Sequence, residues 1–375
     1  MKILFTGGGS GGGFYPVIAV AQEINKQVKE NKLFNVELFY MSTNPYNTGT
    51  LFENGITFKK NPAGKVRRYF SLLNITDTIK TFWGMLQALF TVFGIFPDVV
   101  FGKGGYASFP ALFAARILGI PVIIHESDNA PGKVNVWAGK FARRIALSYP
   151  ETAKYFPENK IALTGNPVRK EIMEPLTNGA KEHFNLENGI GTILVLGGSQ
   201  GAQLINNAII DALSNLVERY QIIHQTGKKN LAEVTTIADV LLLDNSKKER
   251  YKPFDYLDTL ALRMAAGVAD VVISRAGSTI FEIAAWGKPS IIVPITDSND
   301  DHQRKNAFAY AREGAAVVIE EKNLSSNIII SELTRILENP EEKARMEKAA
   351  KDFFKPDAAE KIAREILTIA LEHKQ

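Results

Sequence analysis

Short β-branched and aromatic runs alternate with longer stretches of helical periodicity from one end of this chain to the other. The first run, Ile3–Thr6, stops at Gly7-Gly8-Gly9-Ser10-Gly11-Gly12-Gly13, and Phe14-Tyr15-Pro16 then leads into the helical pattern Val17-Ile18-Ala19-Val20-Ala21. The spacing predicts further strands at Val36–Tyr40, Val99–Phe101, Val122–His125, Ile145–Leu147 and Ile161–Leu163. After Gly165-Asn166-Pro167 a second series is predicted at Ile193–Leu196, Ile222–Gln225, Val271–Ser274, Ile291–Pro294 and Val317–Ile319. Strands alternating with helices in this way form parallel sheets covered by helices. Each series opens on a strand that runs into a glycine loop, the second being Gly197-Gly198-Ser199-Gln200-Gly201. The expected class is α/β, with two doubly wound Rossmann-like domains facing a cleft rather than one long sheet.

Two segments fall outside that alternation. Phe82 to Phe96 is the most apolar stretch; it falls short of the roughly 20 residues that span a bilayer and is closed by Pro97. It reads as a buried or an interfacial helix. The tail from Asp357 to Leu367 has amphipathic helical spacing, with Asp357 as its N-cap.

Composition narrows the class. At 375 residues the chain suits two domains, and 45% hydrophobic with 22% charged residues fits a globular protein. A net charge of +4 permits anionic partners without requiring nucleic acid, and no zinc-finger or aromatic-basic RNA motif occurs. The absence of cysteine removes disulfides and thiolate metal sites. Met1-Lys2 runs straight into a strand, so no signal peptide is expected.

The chemistry-bearing motifs all follow predicted strands, at the edge where doubly wound folds bind ligands. The first glycine run contains Gly7-x-Gly9-x-x-Gly12, a dinucleotide fingerprint. Its expected partner, an acid after the second strand, is missing, because Met41-Ser42-Thr43-Asn44 stands there. A loop cradling a phosphate or a closely approaching sugar is the better reading. Gly102-Lys103-Gly104-Gly105-Tyr106 offers close backbone approach and an aromatic wall, and His125-Glu126-Ser127-Asp128-Asn129 offers carboxylates able to accept a proton. Alone, His125 would read as a core histidine and Asp128 as a helix cap; repeated at strand ends, the set reads as a site. In the second series Ser274-Arg275-Ala276-Gly277-Ser278-Thr279 precedes a helix and suits a diphosphate. Glu282, one turn further, suits a ribose, and Asp300-Asp301-His302-Gln303 with Asn306 suits sugar hydroxyls. No Asp-x-Asp motif occurs, so fixed protein dipoles would replace a metal at the diphosphate.

Taken in order, these pieces resemble the lipid I N-acetylglucosaminyltransferases of peptidoglycan synthesis, metal-independent inverting enzymes of the GT-B fold. The resemblance covers nearly the whole chain and includes Gly104-Gly105-Tyr106, His125-Glu126, Pro131-Gly132 with Asn135, and Gly165-Asn166-Pro167-Val168-Arg169. It continues through Gly197 to Ala202 with Asn206, His224-Gln225, Ser274-Arg275, Glu282-Ile283, His302-Gln303 and Pro356-Asp357-Ala358. It implies an acceptor- and membrane-binding domain at residues 1–165, with a helix at 356–375 packing back on it, and a donor domain at 166–355. UDP-N-acetylglucosamine would meet Arg169, Ser199, Asn206, Phe254, Arg275, Gly277, Ser278, Glu282, His302 and Gln303. Lipid I, carried on undecaprenol, would meet Ser10, Gly11, Gly12, Tyr106 and Asn135. Glu126 or Asp128 would be the base. Lys65, Arg67, Arg68, Phe70, Leu73, Phe82 and Trp83 would dock peripherally on the anionic cytoplasmic face of the membrane. No cofactor, metal or nucleic acid is implied.

One position departs from the pattern. The family carries His before the aromatic-proline pair, and this chain carries Gly13. Three readings stay open: Glu126 or Asp128 serves as the base; the chain is slow or non-catalytic; or the substitution is peculiar to this sequence. A related GT-B glycolipid glycosyltransferase is the neighbouring alternative. A nucleotide-sugar 2-epimerase shares the two-domain design but is disfavoured by the acceptor loops.

Overall fold

The computed structural model describes all residues except 9, 33–34, 66–72, 199–201, 297, 299–300 and 374–375, and the side chains of 73–75. The chain divides into two compact units, Met1–Arg169 with Lys355–Gln375, and Lys170–Phe354.

In the first unit, strands β1 (Lys2–Thr6), β2 (Glu37–Ser42), β3 (Ile56–Lys60), β4 (Val99–Gly102), β5 (Val122–Glu126), β6 (Arg144–Leu147) and β7 (Ile161–Leu163) form one sheet in the order β3-β2-β1-β4-β5-β6-β7. Every pairing is parallel, with Phe5 opposite both Tyr40 and Phe101. One face is covered by the Gly11–Glu30 helix and the Ala358–His373 helix, which bury Phe14, Ile18 and Ile24 together with Ile362, Ile366 and Ile369. On the other face the helices Leu73–Ile95 and Phe109–Ile117 bury Ala88, Val92, Ala111 and Leu112. Parallel strands covered on both faces carry near-continuous apolar runs, which is why β4 and β5 were legible as strands.

The second unit repeats the plan. Strands β8 (Gly191–Leu196), β9 (Tyr220–Gln225), β10 (Tyr251–Phe254), β11 (Val271–Ser274), β12 (Ser290–Ile292) and β13 (Ala316–Val318) pair in parallel in the order β10-β9-β8-β11-β12-β13. The sequence pattern missed β3 and β10. Both are edge strands: β3 ends in two lysines, and β10 contains Pro253, which only an edge or a bulge tolerates.

The Leu73–Ile95 helix corrects the reading of the apolar stretch. Its segment Thr76–Ile95 is 20 residues long with a mean hydropathy of 1.2, long and apolar enough to cross a membrane by length and composition alone. It is also a packed helix, because Ala88, Val92 and Ile95 lie in the core. The opposite side is apolar and bare. Ile79, Phe82, Leu86 and Phe93 are exposed there, with Trp83 at 63% and Phe90 at 75%. Trp83 and Phe90 therefore do not pack into the unit. The segment leaving β3 is laced to this helix: Asn61 Nδ2 donates to the Gly84 carbonyl (3.1 Å), the Gly64 N–H to Thr81 Oγ1 (3.0 Å) and Gln87 Nε2 to the Lys60 carbonyl (3.0 Å).

A polar network sits inside the second unit. His224 is fully buried at the end of β9, with Nδ1 2.8 Å from Tyr251 Oη and Nε2 3.0 Å from Asn206 Oδ1; Asn206 Nδ2 donates to the Thr226 carbonyl (3.0 Å). Burial holds the imidazole down to about 3, against an ordinary 6.5. Such a group contributes stability that is complete above its unfolded value and is lost as pH falls through the folded one. The melting temperature is expected to fall as pH drops from 6.5 toward 3, and His224→Gln is expected to flatten that slope. A variant with the wild-type slope would contradict the assignment.

Candidate functional site

In the first unit the carboxyl ends of β1, β4 and β5 converge, because all the strands run the same way. The loop after β1 is glycine for steric reasons. A Cβ on Gly7 would lie 2.9 Å from Lys103 Cβ, and Gly8, at φ +121°, would place one 2.6 Å from Ser42 Oγ. Tyr40 Oη donates to the Gly7 carbonyl (3.0 Å) and pins the loop to β2. Ser10 caps the Gly11–Glu30 helix with extended backbone, and its carbonyl accepts the Gly13 N–H (3.1 Å) and the Phe14 N–H (3.2 Å). Among the described residues the Ser10 hydroxyl makes no capping bond, at the end where the first N–H groups of a 20-residue helix open. A Cβ on Gly13 would stand 3.1 Å from the Gly8 nitrogen. Any side chain at position 13 therefore requires the glycine loop to yield by a few tenths of an ångström.

The β5 end is organised by Glu126. Its carboxylate is 4% exposed and accepts three N–H bonds from its own loop: Asp128 to Oε1 (3.0 Å), and Gly132 and Asn135 Nδ2 to Oε2 (both 2.9 Å). Burial and the neighbouring Asp128 push its pKa up to about 7, while those hydrogen bonds and Lys103 pull the other way. Asn135 is buried, and Nδ2 donates also to the His125 carbonyl (3.1 Å). Gly104, at φ +84°, lies against that amide, where a Cβ would come within 2.6 Å of Nδ2. His125 is fully buried with Nε2 3.0 Å from the Gly165 carbonyl and 3.3 Å from Ser148 Oγ; burial and Lys103 hold it neutral, well below the ordinary range. Asp128 is half-buried, as is Tyr106, whose ring has Lys65 Nζ 5.4 Å from its centroid. Arg169 stacks on Tyr15, with Cζ 4.0 Å from the ring centroid. Among the described residues no group of three or more His, Asp or Glu could hold a metal.

In the second unit the loop after β11 leads into the eight-residue Thr279–Trp286 helix, with Ser278 as N-cap and Glu282 in the first turn, half-buried. A Cβ on Gly277 would meet nothing within 4 Å, so the approach to this helix start is open. Arg275 is tied down: Nη1 lies 2.7 Å from Glu321 Oε1 and donates to the Val293 carbonyl (3.1 Å). Glu321 Oε2 accepts the Thr296 N–H (2.8 Å), so this ion pair links the loops after β11 and β12. Asn306 Nδ2 donates to the Ala276 carbonyl (3.2 Å) and supports the same turn. His302 and Gln303 open the His302–Arg312 helix, and Gln303 Oε1 accepts the Ile295 N–H (3.2 Å).

Some expected ligand contacts turn out to be spent on the fold. Asn206 is fully buried and bonded at both ends, so it positions the β9 end rather than lining an open pocket. The Phe254 carbonyl accepts both the N–H (2.9 Å) and Oγ1 (3.0 Å) of Thr226, so it is engaged within the sheet end. Ser199, Arg67, Arg68, Phe70 and Asp300 lie outside the described residues, as does the side chain of Leu73. Sequence reading passed over Lys103 and Glu321. Lys103 carried a signal, a charge continuing a wholly apolar strand, whereas nothing local marks Glu321.

The chain matches the glycosyltransferase family 28 N-terminal domain over residues 3–147 and the glycosyltransferase family 28 C-terminal domain over residues 192–362. A curated relative from Thermodesulfovibrio yellowstonii, UDP-N-acetylglucosamine--N-acetylmuramyl-(pentapeptide) pyrophosphoryl-undecaprenol N-acetylglucosamine transferase, is 37% identical across 96% of this chain and 97% of its own length. A crystal structure of MurG from Acinetobacter baumannii is similar with a TM-score of 0.72 at 24% identity, over 98% of this chain and 99% of that one. UDP-GlcNAc 2-epimerase from Neisseria meningitidis, in a crystal structure bound to UDP-GlcNAc, gives 0.69 at 15% identity, over 98% and 100%. Those two likenesses speak for the GT-B fold alone. The identity to curated relatives along nearly the full length decides the family: this chain belongs to glycosyltransferase family 28 and, within it, to the MurG N-acetylglucosamine transferases.

Proposed function

We propose that this chain transfers N-acetylglucosamine from UDP-N-acetylglucosamine to the 4-hydroxyl of undecaprenyl-linked lipid I, forming lipid II with inversion and without a metal ion. The observation that carries this reading is the 37% identity to a transferase named for that donor and acceptor, across 96% of the chain. The 4-hydroxyl oxygen attacks the anomeric carbon as the bond to UDP breaks, and the hydroxyl proton passes to a carboxylate. Charge arriving on the leaving diphosphate is met by the Thr279–Trp286 helix start and by Arg275, whose partner Glu321 holds its guanidinium in place. Glu282 takes the ribose, and His302 and Gln303 take sugar hydroxyls. On the acceptor side, Ser10, Gly11 and Gly12 bind the pyrophosphate and Tyr106 the muramyl sugar.

Of the two candidate bases we favour Asp128. Both Glu126 oxygens already accept N–H bonds from their own loop, and Asp128 is the more exposed. Gly13 supports a second reading, a homologue that binds UDP without turnover, because position 13 offers no side chain and packs on Gly8. Transfer of labelled N-acetylglucosamine from UDP to lipid I tests the two. Transfer is expected in the wild type, and UDP binding without transfer would favour the second reading. Asp128→Asn is expected to lower kcat by about 10²–10⁴-fold with UDP affinity unchanged, and a wild-type kcat would remove Asp128 as the base.

We further infer peripheral docking on the cytoplasmic face of the membrane. Support comes from the exposed face of the Leu73–Ile95 helix, with Phe82, Trp83 and Phe90 outside, beside Lys65 and Lys80. The unit is expected to float with vesicles containing anionic phospholipid and to lose that binding in Trp83→Ser/Phe90→Ser. Equal flotation of variant and wild type would count against this face.

A further inference from the structure

Lys103 has no part in the chemistry above, yet it lies at the centre of the acceptor-side strand ends. Its backbone N–H donates to the Thr6 carbonyl (2.8 Å), which fixes it beside the end of β1, and Gly7 lies against its Cβ. The side chain is 6% exposed. An ammonium carries three donors. Among the described residues this one makes a single hydrogen bond, a long 3.5 Å to Asn166 Oδ1, and no ion pair within contact distance. Glu126 and Asp128 act on it through space and only partly offset burial, which brings its pKa down to about 8. Glu126 makes no close pair with it; its oxygens accept the N–H groups of Asp128, Gly132 and Asn135 instead. A buried ammonium in this state is costly without an anion beside it.

The neighbouring helix start points to the same kind of ligand. Ser10 makes no capping bond through its hydroxyl, and Gly13 leaves the first turn without an ionisable side chain. We propose that Lys103 is the cation of the acceptor site, its ammonium donating from beside Asn166 to the pyrophosphate that joins the muramyl sugar to its lipid. The inference rests on the acceptor reading given under Proposed function. A lysine serves here as a point charge, needing no planar fork to match a phosphate oxygen.

The test replaces Lys103 by methionine, which keeps most of the volume and removes the charge. In Lys103→Met the KM for lipid I is expected to rise at least tenfold, with the KM for UDP-N-acetylglucosamine within twofold of wild type and no loss of melting temperature. Calorimetry with inorganic pyrophosphate, in saturating UDP so that the donor side is filled, is expected to show binding by the wild type and a tenfold loss in the variant. Should methionine impair folding, Lys103→Gln replaces it in both measurements. Unchanged lipid I KM and pyrophosphate affinity in a folded variant would overturn the proposal. So would equal rises in both KM values with a lower melting temperature, the pattern of a purely structural lysine. If the wild type transfers nothing to lipid I, the acceptor reading fails by itself. The pyrophosphate calorimetry then still decides on Lys103: loss in the variant supports an anion ligand, and retention overturns it.

Discussion

One buried carboxylate holds together the loop at the carboxyl end of β5 in the first unit. Glu126 closes β5 and accepts N–H bonds from Asp128, Gly132 and Asn135, so the chain must fold back over it before the Lys133–Gly139 helix begins. Hydrogen bonds to a charged group contribute about 1.5–3 kcal/mol each, enough to fix a loop whose side chains have little core to bury. The rest follows from that closure. Asn135 reaches the His125 carbonyl only because Glu126 holds its amide, and Gly104 lacks a side chain because that amide occupies the space. Burial and the neighbouring Asp128 push the Glu126 pKa above the ordinary carboxylate range, against the hydrogen bonds that hold the loop. The Lys103 ammonium nearby favours the ionised form.

The second unit reaches the same end by different means. Its turn after β11 is held by the Arg275–Glu321 ion pair and the Asn306 amide, and its β9 end by the neutral His224 between Tyr251 and Asn206. In both units the buried part of the polar set at the strand ends supports the loops, and the rest is half-exposed. Glu126, Asn135, Asn206 and Asn306 are buried, whereas Asp128, Glu282, His302 and Gln303 are half-exposed.

That division was not legible in the sequence, although much else was. The strands at the sheet centres announced themselves as apolar runs, and glycine-rich loops follow several of them at their carboxyl ends, where doubly wound sheets bind ligands. The edge strands β3 and β10 did not, since lysines and a proline interrupt their pattern. The bonds that Asn206 and Glu126 make were not legible, because a motif shows which residue stands at a strand end, not which distant N–H it already serves. The Leu73–Ile95 helix was left open by the sequence, as buried or interfacial. It is apolar on two sides, and only the packing of Ala88 and Val92 reveals which side is left bare.

The division of labour between the units is open to one direct measurement, hydrogen–deuterium exchange on the full chain with each substrate in turn. UDP-N-acetylglucosamine is expected to slow exchange at residues 274–282 and 302–306 and to leave 10–15, 103–108 and 126–135 unchanged. Lipid I is expected to give the reverse. Protection of 126–135 by UDP-N-acetylglucosamine, with none at 274–282, would contradict the assignment of donor and acceptor.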